Sequence, residues 1–132
     1  MRPALERAAQ AGDVSGVEAE LRGGAEVNSL DVHGQTALML AAHMGHLAAV
    51  ECLVGYGANL NVRAKFGLSA LMLAIVAGHE AVARSLVNAG ADLTILGTGA
   101  PGFADKRAYD LAEERGMMAL CGEIATRQGV AV

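Results

Sequence analysis

Asp31-Val32-His33-Gly34-Gln35-Thr36-Ala37-Leu38-Met39-Leu40-Ala41-Ala42-His43-Met44-Gly45-His46 is answered 33 residues later by Ala64-Lys65-Phe66-Gly67-Leu68-Ser69-Ala70-Leu71-Met72-Leu73-Ala74-Ile75-Val76-Ala77-Gly78-His79. Between residues 31–62 and 64–95, fourteen of 32 aligned positions are identical at that single offset, so the two stretches are copies of one unit. A period of about 33 residues predicts a stacked solenoid, in which each unit buries its apolar face only against its neighbours.

The unit carries its own punctuation. Thr36 stands where its hydroxyl can cap a helix from Ala37 to about Met44; Gly45-His46 interrupts it, and a second helix is expected from about Leu47 to Gly55. Gly57-Ala58 closes the unit, with the glycine where a helix end needs positive φ. Ser69, Gly78-His79 and Gly90-Ala91 repeat these signals. The arrangement resembles the ankyrin-repeat family, whose pattern runs Asp-x-x-Gly-x-Thr-Pro-Leu-His-x-Ala-Ala-x-x-Gly-His, then two apolar pairs, then Gly-Ala. Residues 31–62 follow it closely, with Ala37 for Pro and Met39 for His, departures that recur at Ala70 and Met72. The resemblance implies an all-α solenoid of helix-turn-helix pairs joined by hairpin-like loops, and a non-catalytic role in binding other proteins.

The register continues both ways. Leu5, Ala8, Ala9, Gly12, Val17, Leu21, Gly24, Ala25 and Asn28 lie 33 residues before Leu38, Ala41, Ala42, Gly45, Val50, Val54, Gly57, Ala58 and Asn61. Residues 2–30 therefore form an N-terminal cap, polar at Glu6-Arg7 where the inner copies have Met-Leu. Units follow at 31–63 and 64–96, and a C-terminal cap at 102–128, polar at Glu113, Glu114 and Arg115. A glycine-rich insertion near 97–102 separates the last two, and Asp105 is the expected N-cap of the helix after it. The whole of 1–132 reads as a single domain.

Composition narrows the function. The chain is 53% hydrophobic but only 3% aromatic, which suits close packing of helices through Ala, Leu and Val. Net charge is −4 with no Lys/Arg cluster, so nucleic acid and anionic membrane are excluded as expected partners. The apolar run Leu68 to Gly78 is too short to span a bilayer. Glu6 and Arg7 fall where a secretory leader would place its apolar segment, so a cytoplasmic or nuclear setting is expected. Cys52 and Cys121 sit in second helices two units apart, too far for a disulfide, and are expected as reduced thiols.

The candidate chemistry is absorbed by the repeat. Gly97-Thr98-Gly99-Ala100-Pro101-Gly102 matches G-x-G-x-x-G after the β-like run Leu93–Leu96, which raises a nucleotide-binding alternative. That fingerprint requires a βαβ unit and a later acidic residue, and no strand-like segment follows Tyr109, so a lengthened hairpin is the expectation. His46 and His79 occupy the Gly-His position that the resemblance assigns to backbone hydrogen bonding between repeats. No set of His, Cys and carboxylate ligands converges for zinc, and no serine sits in a nucleophile motif, so neither cofactor, metal nor catalytic residue is expected.

What remains are the positions that the repeat leaves free. The resemblance places binding on the concave face, at the hairpin tips and first helices. Those positions are Val32, His33, Gln35, His43, Met44, Arg63, Lys65, Phe66, Leu68 and Val76, with Phe103 and Lys106 continuing the strip. Val32, Met44, Phe66, Leu68 and Val76 are apolar where burial is not required, which marks an interface. Phe66 is the expected anchor, Phe103 its neighbour, and Arg63 with Lys65 favour an acidic rim on the partner. A monomeric adaptor or inhibitor is expected, with a self-associating or structural subunit as the alternative.

Overall fold

The computed structural model describes residues 1–128; residues 129–132, the end of the expected 1–132 domain, lie outside the described residues. Eight α-helices follow in order: α1 (Pro3–Ala11), α2 (Val14–Arg22), α3 (Ala37–Met44), α4 (Leu47–Gly55), α5 (Ala70–Val76), α6 (Glu80–Asn88), α7 (Ala108–Glu114) and α8 (Met118–Arg127). Consecutive helices pair, and the pairs stack. One row runs α1, α3, α5, α7 and a second runs α2, α4, α6, α8, each helix touching the next in its row. Among the described residues there is no β-strand, only an isolated bridge between Gly97 and Ala104. The chain adopts the expected all-α solenoid of helix pairs.

Local chemistry sets the helix ends. Thr36 Oγ1 accepts a hydrogen bond from the Met39 amide at 3.2 Å, and Ser69 Oγ accepts one from the Met72 amide at 3.4 Å. Both hydroxyl residues are buried, so each cap satisfies a helix amide that water cannot reach. At the other end of α3, Gly45 turns to φ 78° and its amide reaches back to the carbonyls of Ala41 and Ala42. The turn is kept tight by a neighbour: the His79 ring lies where a side chain on Gly45 would go, as the His46 ring does over Gly12. His46 Nε2 also lies 2.9 Å from the Gln10 carbonyl oxygen, tying one helix pair to the one before it.

The core lies between the two rows. Six of the eight residues of α3 are buried, Ala37 through Ala42. A helix apolar on every side has to be enclosed, and α3 has α1 and α5 on its flanks and α4 behind it. Each fully buried Leu or Met contributes about 1.5–3 kcal/mol. Met39 and Met72, where the pattern has His, are 1% exposed, so the thioethers are packed into the core. Outside the core, side-chain amides link successive loops: Asn28 Oδ1 accepts from the Asn59 amide at 2.7 Å, and Asn61 Oδ1 from the Asp92 amide at 2.8 Å.

One expectation about the last pair needs correction. Asp105 does not cap α7. The N-cap is Arg107, in extended backbone, and its amide donates to Asp110 Oδ2 at 2.9 Å. Asp105 is held two residues earlier at φ 59°, its amide bonded to the Gly97 carbonyl at 2.9 Å. The extra length of the preceding loop has to be folded away before the helix can start, and Asp105 belongs to that loop.

Candidate functional site

The two hairpin tips differ in the residue that opens the turn. In the 31–36 turn the Asp31 carboxylate accepts from the amides of His33 at 2.8 Å and Gln35 at 2.9 Å. Ala64 stands at the same place in the next unit and has nothing to accept with. The backbone bonds of the turn persist, Ala64 amide to Leu68 carbonyl and Gly67 amide to Ala64 carbonyl, both 3.0 Å. Phe66, however, sits at φ 61° and ψ 19°, a left-handed conformation that costs a non-glycine residue roughly 1–2 kcal/mol.

The glycine-rich insertion holds Phe66 there. The Thr98 amide donates to the Phe66 carbonyl at 2.6 Å. Arg63 joins the same two segments from below, its Nη2 donating to the Leu96 carbonyl at 2.9 Å and its Nε to Gly67 at 3.4 Å. The Phe66 and Phe103 rings then meet with centroids 5.4 Å apart and planes tilted by 37°, within the range of favourable aromatic pairs. Lys65 Nζ lies 5.0 Å from the Phe66 ring centre, close enough for a cation–π contact.

This arrangement opens a cleft of about 250 Å³ between the Phe66 tip, the insertion and the first-row helices α3 and α5. Gln35, His43, Ala64, Lys65, Phe66, Leu68, Leu73, Val76 and Phe103 line it. Seven of these are positions of the expected strip. Leu68 lines it only as floor: it is 3% exposed and belongs to the core, because the residue entering the buried cap at Ser69 already faces inward. Its reading as an apolar residue free of the fold is therefore corrected. Val32, at 93% exposure, and Met44, at 54%, stand clear of the cleft, as does exposed His33. Arg63 is spent on the backbone carbonyls above, and Lys106 pairs with Glu114. Leu73 and Ala64 line the cleft although the repeat register marked them only as framework. For Ala64 the signal was present, as the loss of the tip aspartate between the two aligned copies.

The insertion itself is occupied with its own folding. Amide groups of Gly97, Ala100, Phe103, Ala104 and Asp105 donate to carbonyls within 97–106, and that of Thr98 to Phe66. A phosphate cradle needs such groups directed outward, and no strand flanks the loop among the described residues. Among the described residues, no three His, Cys, Asp or Glu side chains gather as a metal site, and no helix is long and apolar enough to cross a membrane. Cys52 and Cys121 are both unbridged, and burial pushes both thiols above the usual range.

A family model described as ankyrin repeats, in 3 copies, matches residues 5–96. No curated protein matches the chain.

Proposed function

The chain belongs to the ankyrin-repeat family, which generally serves protein–protein interaction without catalysis, and on that premise we propose that it is a non-enzymatic adaptor or inhibitor that binds a protein partner on its concave face. The observation that carries the reading is the cleft between Phe66, Phe103 and the first-row helices. There an aromatic pair and Val76 stay partly open to solvent, packed against the edge of the core around a cleft lined mainly by apolar side chains. The exposed Val32 and Met44 extend the apolar strip toward the N-terminal side. The pair α7–α8, beyond the matched residues, is on this reading a C-terminal cap repeat, and the molecule acts as a monomer. Two unbridged thiols fit a reducing compartment, cytoplasm or nucleus.

The test is capture by the immobilised protein against capture by a Phe66→Asn, Val32→Asp variant. Asparagine tolerates the left-handed backbone at position 66, so the fold is retained while the ring is lost. Proteins held by the natural sequence and released by the variant are the expected result. Identical capture by both would place binding elsewhere. Light scattering during size exclusion addresses the self-associating alternative, for which a dimer dispersed by the same substitutions would be the sign.

A further inference from the structure

We propose that the cleft beneath Phe66 receives a single large apolar side chain from a partner segment in which that side chain is flanked by aspartate or glutamate. The inference rests on the concave-face reading above and adds the chemistry of what binds there.

Size comes first. A cleft of about 250 Å³ falls below the roughly 300–1,000 Å³ typical of small-molecule and cofactor sites and is of a size to take one bulky side chain. Its walls are the Phe66–Phe103 pair, Leu73 and Val76, with Leu68 as floor, so the inserted group is apolar. The polar groups at its mouth are Gln35, His43 and Lys65.

Charge then selects the flanks. No carboxylate lines the cleft in a chain whose net charge is −4, and among the described residues no carboxylate pairs with Lys65. Arg115 donates to the Val76 carbonyl at 3.2 Å, at the helix end that borders the cleft. The nearby Glu114 is engaged by Lys106 and lies 4.0 Å from Arg115, which leaves Lys65 as the cation on the cleft lining that no carboxylate engages among the described residues. Lys65 now rests over the Phe66 ring and can turn its ammonium to an incoming carboxylate without leaving a buried charge behind. The strained backbone of Phe66 points to the same cleft. The chain holds an aromatic ring in an unfavourable conformation at the cleft wall, with the insertion bonded across it, rather than placing Gly or Asn there.

Selection from a phage-displayed library of random peptides on the full chain tests this. Enriched peptides are expected to carry one Phe, Leu, Ile or Met flanked by Asp or Glu, to lose about tenfold in affinity against Lys65→Glu, and to bind more weakly as salt rises. Selection on Lys65→Glu is expected to shift the flanks toward Lys and Arg. Lys65 is exposed, and unchanged thermal unfolding of the variant would show that the fold is not the cause. Peptides that need Phe66, judged by loss on Phe66→Asn, but show no acidic preference would overturn the proposal and leave the concave-face reading standing. Peptides indifferent to both substitutions would sink both, and no enrichment above the starting library would overturn the proposal.

Discussion

Gly45 and Gly57 both adopt positive φ, 78° and 85°, but only the first is also walled in. A methyl added at Gly45 would meet His79 Nδ1 at 2.6 Å, whereas nothing stands within 4 Å of one added at Gly57. Gly57→Ala therefore isolates the backbone term, about 1 kcal/mol, and Gly45→Ala adds a displaced histidine, for about 2–4 kcal/mol in total. Urea unfolding of the two variants would measure the difference. The cysteines offer a second test at this scale. Burial raises both thiols, because a thiolate loses its hydration there. A group that holds its proton more tightly when folded takes nothing from stability at neutral pH. It becomes destabilising as pH climbs past the unfolded thiol value of about 8.5. Cys121→Ala should accordingly flatten the alkaline loss of stability above about pH 8.5 relative to the natural chain. At pH 7 a thiol reagent should label Cys52, which is partly exposed, well before the buried Cys121.

Among elements, the caps and the insertion separate what repetition supplies from what it does not. Thr36→Ala removes a buried cap and should cost about 1 kcal/mol, with Ser69→Ala somewhat less because its bond is longer. Equilibrium unfolding of both single variants checks the order. These helix starts were legible in the sequence because a hydroxyl before an apolar run has one local use. The start of α7 was not: Asp105 has the right chemistry, but the loop's return to Gly97 claims it, and that contact is invisible in a linear reading. The same applies to Arg63. As a sequence feature it is a free cation beside Phe66, but in the fold it spans Gly67 and Leu96. Arg63→Ala should loosen the joint between tip and insertion, and hydrogen exchange should report it as faster exchange of the Thr98 amide, which is bonded to Phe66.

For the whole molecule, a solenoid distributes its stability over interfaces between neighbours, so its ends matter more than those of a globular domain. The pair α7–α8 packs on α5 and α6 with Leu111, Ala112, Leu120 and Ile124 fully buried. A chain ending at residue 96 should expose the apolar faces that these cover, giving a lower midpoint in urea and increased binding of a hydrophobic dye; an unchanged midpoint would show that the pair is dispensable. The direction and extent of the stack were determined by the sequence alone. A 33-residue period, a hydroxyl before the first helix of each inner unit and a glycine after it are local instructions, each satisfied within one unit or against a similar neighbour. The cleft was decided only by tertiary structure. It involves a tip where Ala64 offers no carboxylate, an insertion more than 30 residues later whose Thr98 amide donates to the Phe66 carbonyl, and the meeting of Phe66 with Phe103. The Phe66–Phe103 pair was legible from the register, since Phe103 stands near the equivalent tip of the next unit; the bond from the Thr98 amide to the Phe66 carbonyl joins residues that no repeat relates, so no periodicity could announce it.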